Sequence, residues 1–278
     1  MSGARLDLDL SGLGVTFHGM PGDLADEMRR TWPAFAVTST DPDPIVVDVS
    51  ELGRPLTPGE AMLGGVEIEA SGAGLSVRRD EGEMTCDPEA RQVAVRLASG
   101  NPRRRLWGLV NLLAVAVARR LLGRGGGALH AAGIVVDERA FLLVGAEGAG
   151  KTTWARAAGA VGLPVISDDI VFVDSGRGRL EAIGTPIRDR EIAHSGPGRW
   201  PVAALLVPRH GTEAALLPVS RLRLETALSA NLLYVAASWR DDPRVPRAIE
   251  AIAEGAPART LVFRPDGSWV EVLRGWTA

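Results

Sequence analysis

The residues Phe141-Leu-Leu-Val-Gly-Ala-Glu-Gly-Ala-Gly-Lys-Thr-Thr153 carry the densest concentration of chemistry in the chain. Gly145, Gly150, Lys151 and Thr152 fit the pattern G-x-x-x-x-G-K-[ST]. An apolar strand-like run precedes the pattern and a helix-compatible run, Trp154 to Ala160, follows it, which is the context a phosphate-binding loop requires. Glycines allow backbone N–H groups to converge on phosphate oxygens, Lys151 can reach the β- and γ-phosphates, and Thr152 offers a hydroxyl to Mg²⁺. The positive end of the following helix points at the same place. The nucleotide-binding candidates are therefore Gly145, Ala146, Glu147, Gly148, Ala149, Gly150, Lys151, Thr152 and Thr153. A dinucleotide fingerprint is excluded by spacing, because Gly145, Gly148 and Gly150 run G-x-x-G-x-G rather than G-x-G-x-x-G.

Lys151 is the only lysine among 31 basic residues, so every other cation in the chain is an arginine. Arginine suffices wherever a surface charge is needed, but a planar fork does not replace a compact ammonium among phosphate oxygens. Downstream, Leu163-Pro-Val-Ile166 reads as a short strand ending in Ser167-Asp168-Asp169, with the apolar run Ile170 to Val173 beyond. Carboxylates at a strand exit after a phosphate loop are where such enzymes hold magnesium. Because side chains alternate along extended backbone, one aspartate can hold Mg²⁺ while its neighbour faces an acceptor hydroxyl. A plain turn with aspartate as its usual occupant is the other reading. The polar connection Gly184 to Trp200 holds Arg188, Arg190, His194 and Arg199, which either steady transferred charge or belong to a merely mobile loop.

The elements that must position these groups follow from pattern. Residues 1–100 alternate in short runs: Val15 to Phe17, Ile45 to Val49, a hairpin from Val66 to Val77, and Val93 to Leu97, with a helix over Asp23 to Trp32. His18, Asp41, Asp43 and Cys86 in this part read as surface or turn residues. Arg103 to Leu122 reads as one helix, apolar nearly all round and therefore buried, with its terminal arginines as solvated ends. Gly125 to Gly127 reads as a flexible joint. Strands follow at Ala132 to Val136, Ala140 to Val144 and Val202 to Val207. Ser220 caps a helix carrying Leu224, Leu228 and Leu232, and Leu261 to Phe263 and Trp269 to Leu273 close the chain as strands. The expected organisation is a smaller β-rich α+β N-terminal domain (1–100), a connecting buried helix (101–124), and an α/β phosphate-loop domain with a mixed sheet (125–278).

At 46% hydrophobic and 23% charged, 278 residues bury a sizeable core. A net charge of -3 gives no basic footprint for nucleic acid. One cysteine, Cys86, rules out an internal disulfide, and the four scattered histidines spell no zinc site. The apolar run Leu106 to Ala118 is too short to span a bilayer, and the first residues lack the pattern of a signal peptide, so the expected location is cytoplasmic, away from membranes.

The span from Leu129-His130-Ala131-Ala132-Gly133 through Val144 to Thr152 and on to Ile166-Ser-Asp-Asp169 resembles the catalytic domain of bacterial HPr kinase/phosphorylase and its relatives, a group that includes phosphoenolpyruvate carboxykinase. The resemblance covers about 40 residues well, and it implies a phosphotransferase domain of HPr-kinase type. It also implies Mg²⁺ with ATP or GTP bound by Gly145 to Thr153, and Thr152 and Asp169 at the metal. Asp168 would be the acid/base facing an acceptor hydroxyl, and His130 would stand behind the metal or on the acceptor side. The first hundred residues do not share the resemblance. Leu180 to Ile187 echoes the family's second signature loosely and lacks an arginine expected there. The carboxykinase branch is excluded because its further lysine is absent. The expected activity is transfer of the γ-phosphate to a hydroxyl, a serine of a peptide or small protein. A small-molecule kinase, or a nucleotide-gated binding protein, are the alternatives. Oligomeric state is silent in the sequence.

Overall fold

The computed structural model describes residues 4–53, 67–71, 74–187, 196–234, 242–264 and 266–276. The chain forms two compact units, Met1–Arg120 with Tyr234–Asp242, and Leu121–Leu233 with Pro243–Ala278. Both units are mixed α/β with a mixed sheet.

In the first unit, β1 (Ala4–Asp9) pairs antiparallel with β2 (Gly14–Met20). Helix α1 (Gly22–Thr31) then carries the chain over to β3 (Ile45–Glu51), parallel to β2. The strands β4 (Glu67–Ser71), β5 (Gly74–Arg79), β6 (Gly82–Cys86) and β7 (Gln92–Leu97) meander antiparallel, and β7 closes parallel to β3. The sheet order is β1-β2-β3-β7-β6-β5-β4. Period-two burial is strict in β7, where Val93, Val95 and Leu97 are buried and Gln92, Ala94 and Arg96 are exposed. Helix α1 buries Leu24, Ala25 and Met28 on one stripe.

Helix α2 (Pro102–Leu122) is buried almost throughout from Leu106 to Ala118, as its nearly encircling apolar pattern demands. Three of its arginines correct the expectation of solvated ends, while Arg103 and Arg104 are exposed as expected. Arg105 pairs with Asp23 and Glu51, Arg119 with Asp242 and the Pro88 carbonyl, and Arg120 with Asp43, all three being buried. A guanidinium has several donors to satisfy, so a buried one acts as a multi-point clasp rather than a solvated tip. Cys86 is likewise not a surface residue. It is buried in β6, where desolvation pushes the thiol up to about 11 despite the positive charge of Arg119.

The second unit opens with β8 (Gly127–Val136), β9 (Arg139–Val144), α3 (Lys151–Ala160), β10 (Val165–Ser167), β11 (Ile170–Asp174) and β12 (Glu181–Ile183). It continues with β13 (Arg199–His210), β14 (Ala215–Pro218), α4 (Arg221–Asn231), α5 (Arg244–Gly255), β15 (Ala258–Phe263) and α6 (Trp269–Arg274). Two long strands each pair with three others. β8 pairs with β11 over 127–130 and with β10 at 133 and 134 along one edge, and with β9 over 131–136 along the other. β13 pairs with β12 over 199–201, with β9 over 202–206 and with β15 over 205–210. With β11 paired to β12, the ladder β8-β11-β12-β13-β9 closes on itself. Alternate residues of β9 feed two cores. Leu142 and Val144 face Leu224 and Leu228 of α4 and Ile252 of α5, and Phe141 and Leu143 face Trp154 of α3 and Trp269 of α6. The two indoles pack at 5.1 Å between centroids.

Four further expectations change. Trp269 to Leu273 is a helix, because Trp269, Val270 and Leu273 share one buried face after the Asp266-Gly267-Ser268 turn. Gly125 to Gly127 is no flexible joint: the Gly126 N–H bonds to the Leu121 carbonyl at 2.9 Å, and a Cβ on Gly126 would sit 2.1 Å from the Val173 carbonyl oxygen. Leu232 does not extend the α4 stripe but caps the helix and bridges Leu129. Arg199 is not a loop residue, since it starts β13 and is held by Asp174 at 2.6 Å and Glu181 at 2.7 Å. Asp174 lies about 16 Å along β11 from Asp169, so this buried cluster stands away from the aspartate pair. Arg188, Arg190, His194 and Val66 lie outside the described residues. Among those described, no helix is long and apolar enough to cross a membrane.

Burial disfavours the charge on Glu181, yet bonds from Arg199 and Arg179 outweigh it and hold the carboxyl below its usual range. A lowered folded value contributes stability above the unfolded pKa and loses it as pH falls through the folded one. Denaturant stability should therefore decline below about pH 4, and Glu181→Gln should flatten that decline. Arg199→Met, which leaves two buried carboxylates with less compensation, should cost about 3–5 kcal/mol at neutral pH in the same titration.

Candidate functional site

The site forms across β8, which carries β11 and β10 on one edge and β9 on the other. His130 pairs with Ile170 at the start of β11, and the next residue, Ala131, pairs with Val144 at the end of β9. That single step in β8 brings the Asp168-Asp169 turn and the 145–150 loop to the same level of the sheet. Residues His130, Glu147, Gly148, Gly150, Lys151, Thr152, Thr153, Asp168 and Asp169 line one cavity of about 600 Å³. Gly145, Ala146 and Ala149 face elsewhere, onto a second cavity of about 580 Å³ beside α4.

The loop's conformation follows from its glycines at one position above all. Gly150 is the N-cap of α3 with φ of 92°, in the left-handed region that only glycine occupies without strain. A Cβ there would also stand 3.2 Å from the Phe263 ring and 3.4 Å from the ring of His210. With no side-chain cap on α3, the first-turn N–H groups face the cavity mouth as donors to an anion.

Lys151 is only 6% exposed. Its Nζ donates to the Gly145 carbonyl at 2.7 Å and the Ala146 carbonyl at 3.0 Å, folding the side chain back along the loop. Burial lowers its pKa below the usual lysine value, and the negative charges of Asp169 and Glu147 offset only part of that. An incoming anion restores what burial removes, so the cation is poised for one.

Opposite, the Ser167 hydroxyl accepts from the Asp169 N–H at 3.2 Å and the Ile170 N–H at 3.1 Å, which pins the turn between β10 and β11. The two aspartates differ in setting, Asp168 being buried and Asp169 half-exposed. His130 Nδ1 lies 3.1 Å from the Asp169 carbonyl oxygen and 3.0 Å from its Oδ1. Both neighbours are acceptors, so Nδ1 carries the proton, and in the neutral ring Nε2 keeps the lone pair. His130 thus orients Asp169 rather than Asp168. The Thr152 hydroxyl and the two carboxylates are hard oxygen donors of the kind Mg²⁺ takes. Among the described residues no group of three or more His, Cys, Asp or Glu could hold a metal by itself, so these donors suit a cation that shares its shell with phosphate oxygens.

Sequence reasoning passed over His210 and Phe263, which sit beside Gly150 at the ends of β13 and β15. The parallel pairing that brings them there is a long-range event without a local signature.

No protein-family model matches the chain, and no curated protein matches it in sequence. Among solved structures it is similar to the Hpr(Ser) kinase/phosphatase from Coxiella burnetii, at 10% identity and a TM-score of 0.29, over 52% of this chain and 85% of that one.

Gly150→Ala should cost about 1–2 kcal/mol from its left-handed backbone alone, with crowding by Phe263 and His210 adding to it. Urea unfolding checks this, with Gly162→Ala as the uncrowded left-handed control.

Proposed function

We propose that the chain is a nucleotide-dependent phosphotransferase of HPr-kinase type that moves the γ-phosphate of ATP or GTP to a hydroxyl. The observation that carries this reading is the shared cavity: the lone lysine, the helix N-terminus, a threonine hydroxyl and two aspartates in different settings all open onto one space. The N–H groups of residues 147, 148 and 150–153 and the Lys151 ammonium take the phosphates, which is positioning and charge neutralisation rather than covalent chemistry. Thr152 and Asp169 would hold Mg²⁺, whose chemistry is to neutralise charge on the β- and γ-oxygens. His130 fixes Asp169 through Nδ1, and Asp168 faces the acceptor. Asp168 takes the proton of the acceptor hydroxyl as its oxygen bonds to the γ-phosphorus and the bond to the β,γ-bridging oxygen breaks, leaving the nucleoside diphosphate.

The acceptor is the serine of a peptide or small protein, or the hydroxyl of a small molecule; both fit the same chemistry. A binding protein that nucleotide merely gates would not need a buried carboxylate beside the phosphates.

Lys151→Ala should abolish measurable binding of Mg-ATP. Asp168→Asn should bind nucleotide as the parent does and lose at least about 100-fold in transfer of label from γ-labelled ATP to an acceptor in host extract. Transfer by Asp168→Asn at the parental rate would remove Asp168 from its role. Label released by the parent only as free phosphate would favour the gated binding protein.

A further inference from the structure

The geometry points to His210, backed by Phe263, as the platform on which the nucleotide base stacks, an inference that rests on the phosphotransferase reading above. Strand β9 has two edges, and they lead to different chemistry. Along the β8 edge stand His130, Asp168 and Asp169, the side on which the terminal phosphate must lie to meet an acceptor. Along the other edge runs β13, parallel to β9, and then β15, parallel to β13. A nucleotide with its phosphates along the loop and its γ end at the aspartates extends its nucleoside toward that second edge.

What waits there is set by register. Leu206 of β13 pairs with Leu143 of β9, so Val207 stands level with the last β9 residue, Val144. β13 runs on for three more residues, about 10 Å, and ends at His210, which pairs with Phe263 at the end of β15. The strand therefore rises past the end of β9 as a wall beside the loop. The His210 ring lies close enough to the loop that a Cβ on Gly150 would be 3.4 Å from it. His210 and Phe263 pack at 5.9 Å between centroids with planes tilted by 38°.

The two rings are not equivalent. Phe263 is 2% exposed and fixed in the core with Trp154 and Trp269, whereas His210 is exposed. One face of the imidazole is braced from behind and the ring stays open to solvent, at the edge where the nucleoside leaves the loop. Packing of the aromatic pair accounts for the buried ring but not for a histidine held at the surface against the phosphate loop. Every nucleobase presents a π-face, so a flat ring serves as its platform without reading its edges.

The test uses the full-length protein and two ligands in Mg²⁺, ATP and inorganic tripolyphosphate, with affinities from calorimetry. His210→Ala should weaken ATP about tenfold and leave tripolyphosphate unchanged, and His210→Phe, which keeps a flat ring, should restore the parental ATP affinity. Unchanged ATP binding by His210→Ala overturns the inference. So does equal weakening of both ligands, which would make His210 a support of the loop through Gly150. If the parent binds neither ligand, the phosphotransferase reading itself fails and the platform falls with it.

Discussion

The pairing of β8 along both its edges, with β11 and β10 on one and β9 on the other, is the constraint on which the second unit depends. Because the Ile170–His130 and Val144–Ala131 pairs are consecutive along β8, the start of β11 and the end of β9 stand at one level on opposite edges of that strand. Here those ends are the aspartate turn and the glycine loop. Backbone bonding enforces the juxtaposition: the Asp169 carbonyl accepts both the Ala131 N–H at 3.1 Å and the His130 ring. Chemistry-bearing side chains ride on a ladder that must be satisfied whether or not any ligand is present.

Charge is buried in two ways in this unit, and the contrast separates structure from site. Around Arg199 the cations and carboxylates satisfy one another, with Asp174 and Glu181 both within 2.7 Å of the guanidinium. Such a cluster is closed and has nothing left to offer a ligand. Lys151 is buried with neutral carbonyls for partners, and its nearest carboxylates act only at a distance. A cation lowered by burial and incompletely compensated is an open account, one that a phosphate oxygen closes.

Local chemistry was legible in the sequence, and long-range pairing was not. The loop, the strand before it, the helix after it and the Ser167-Asp168-Asp169 turn are all short-range events with fixed spacing, and each appears where pattern placed it. The Ser220 cap was equally readable, its hydroxyl accepting the Arg223 N–H at 3.3 Å. The failures share one cause. Arg119, Arg120 and Arg199 read as surface or loop charges because their partners lie from 18 to 123 residues away. Cys86 read as exposed because only the tertiary fold covers it. Trp269 to Leu273 alternates well enough for a strand, and only the apolar surface beneath α6 decides for a helix.

The same reasoning explains why the two edges of β9 differ so much in readability. On the β8 edge the acidic turn and His130 are polar residues in apolar surroundings, and such residues stand out in any pattern. On the β13 edge the wall beside the loop comes from overshoot, three residues of β13 beyond the level of Val144, and a register is not written in composition. Gly150 connects the two edges. Its missing side chain serves the left-handed cap that aims α3 at the cavity, and it also leaves room for the rings of His210 and Phe263. One glycine thus meets two steric demands, one local and one tertiary, and only the local demand belongs to the motif.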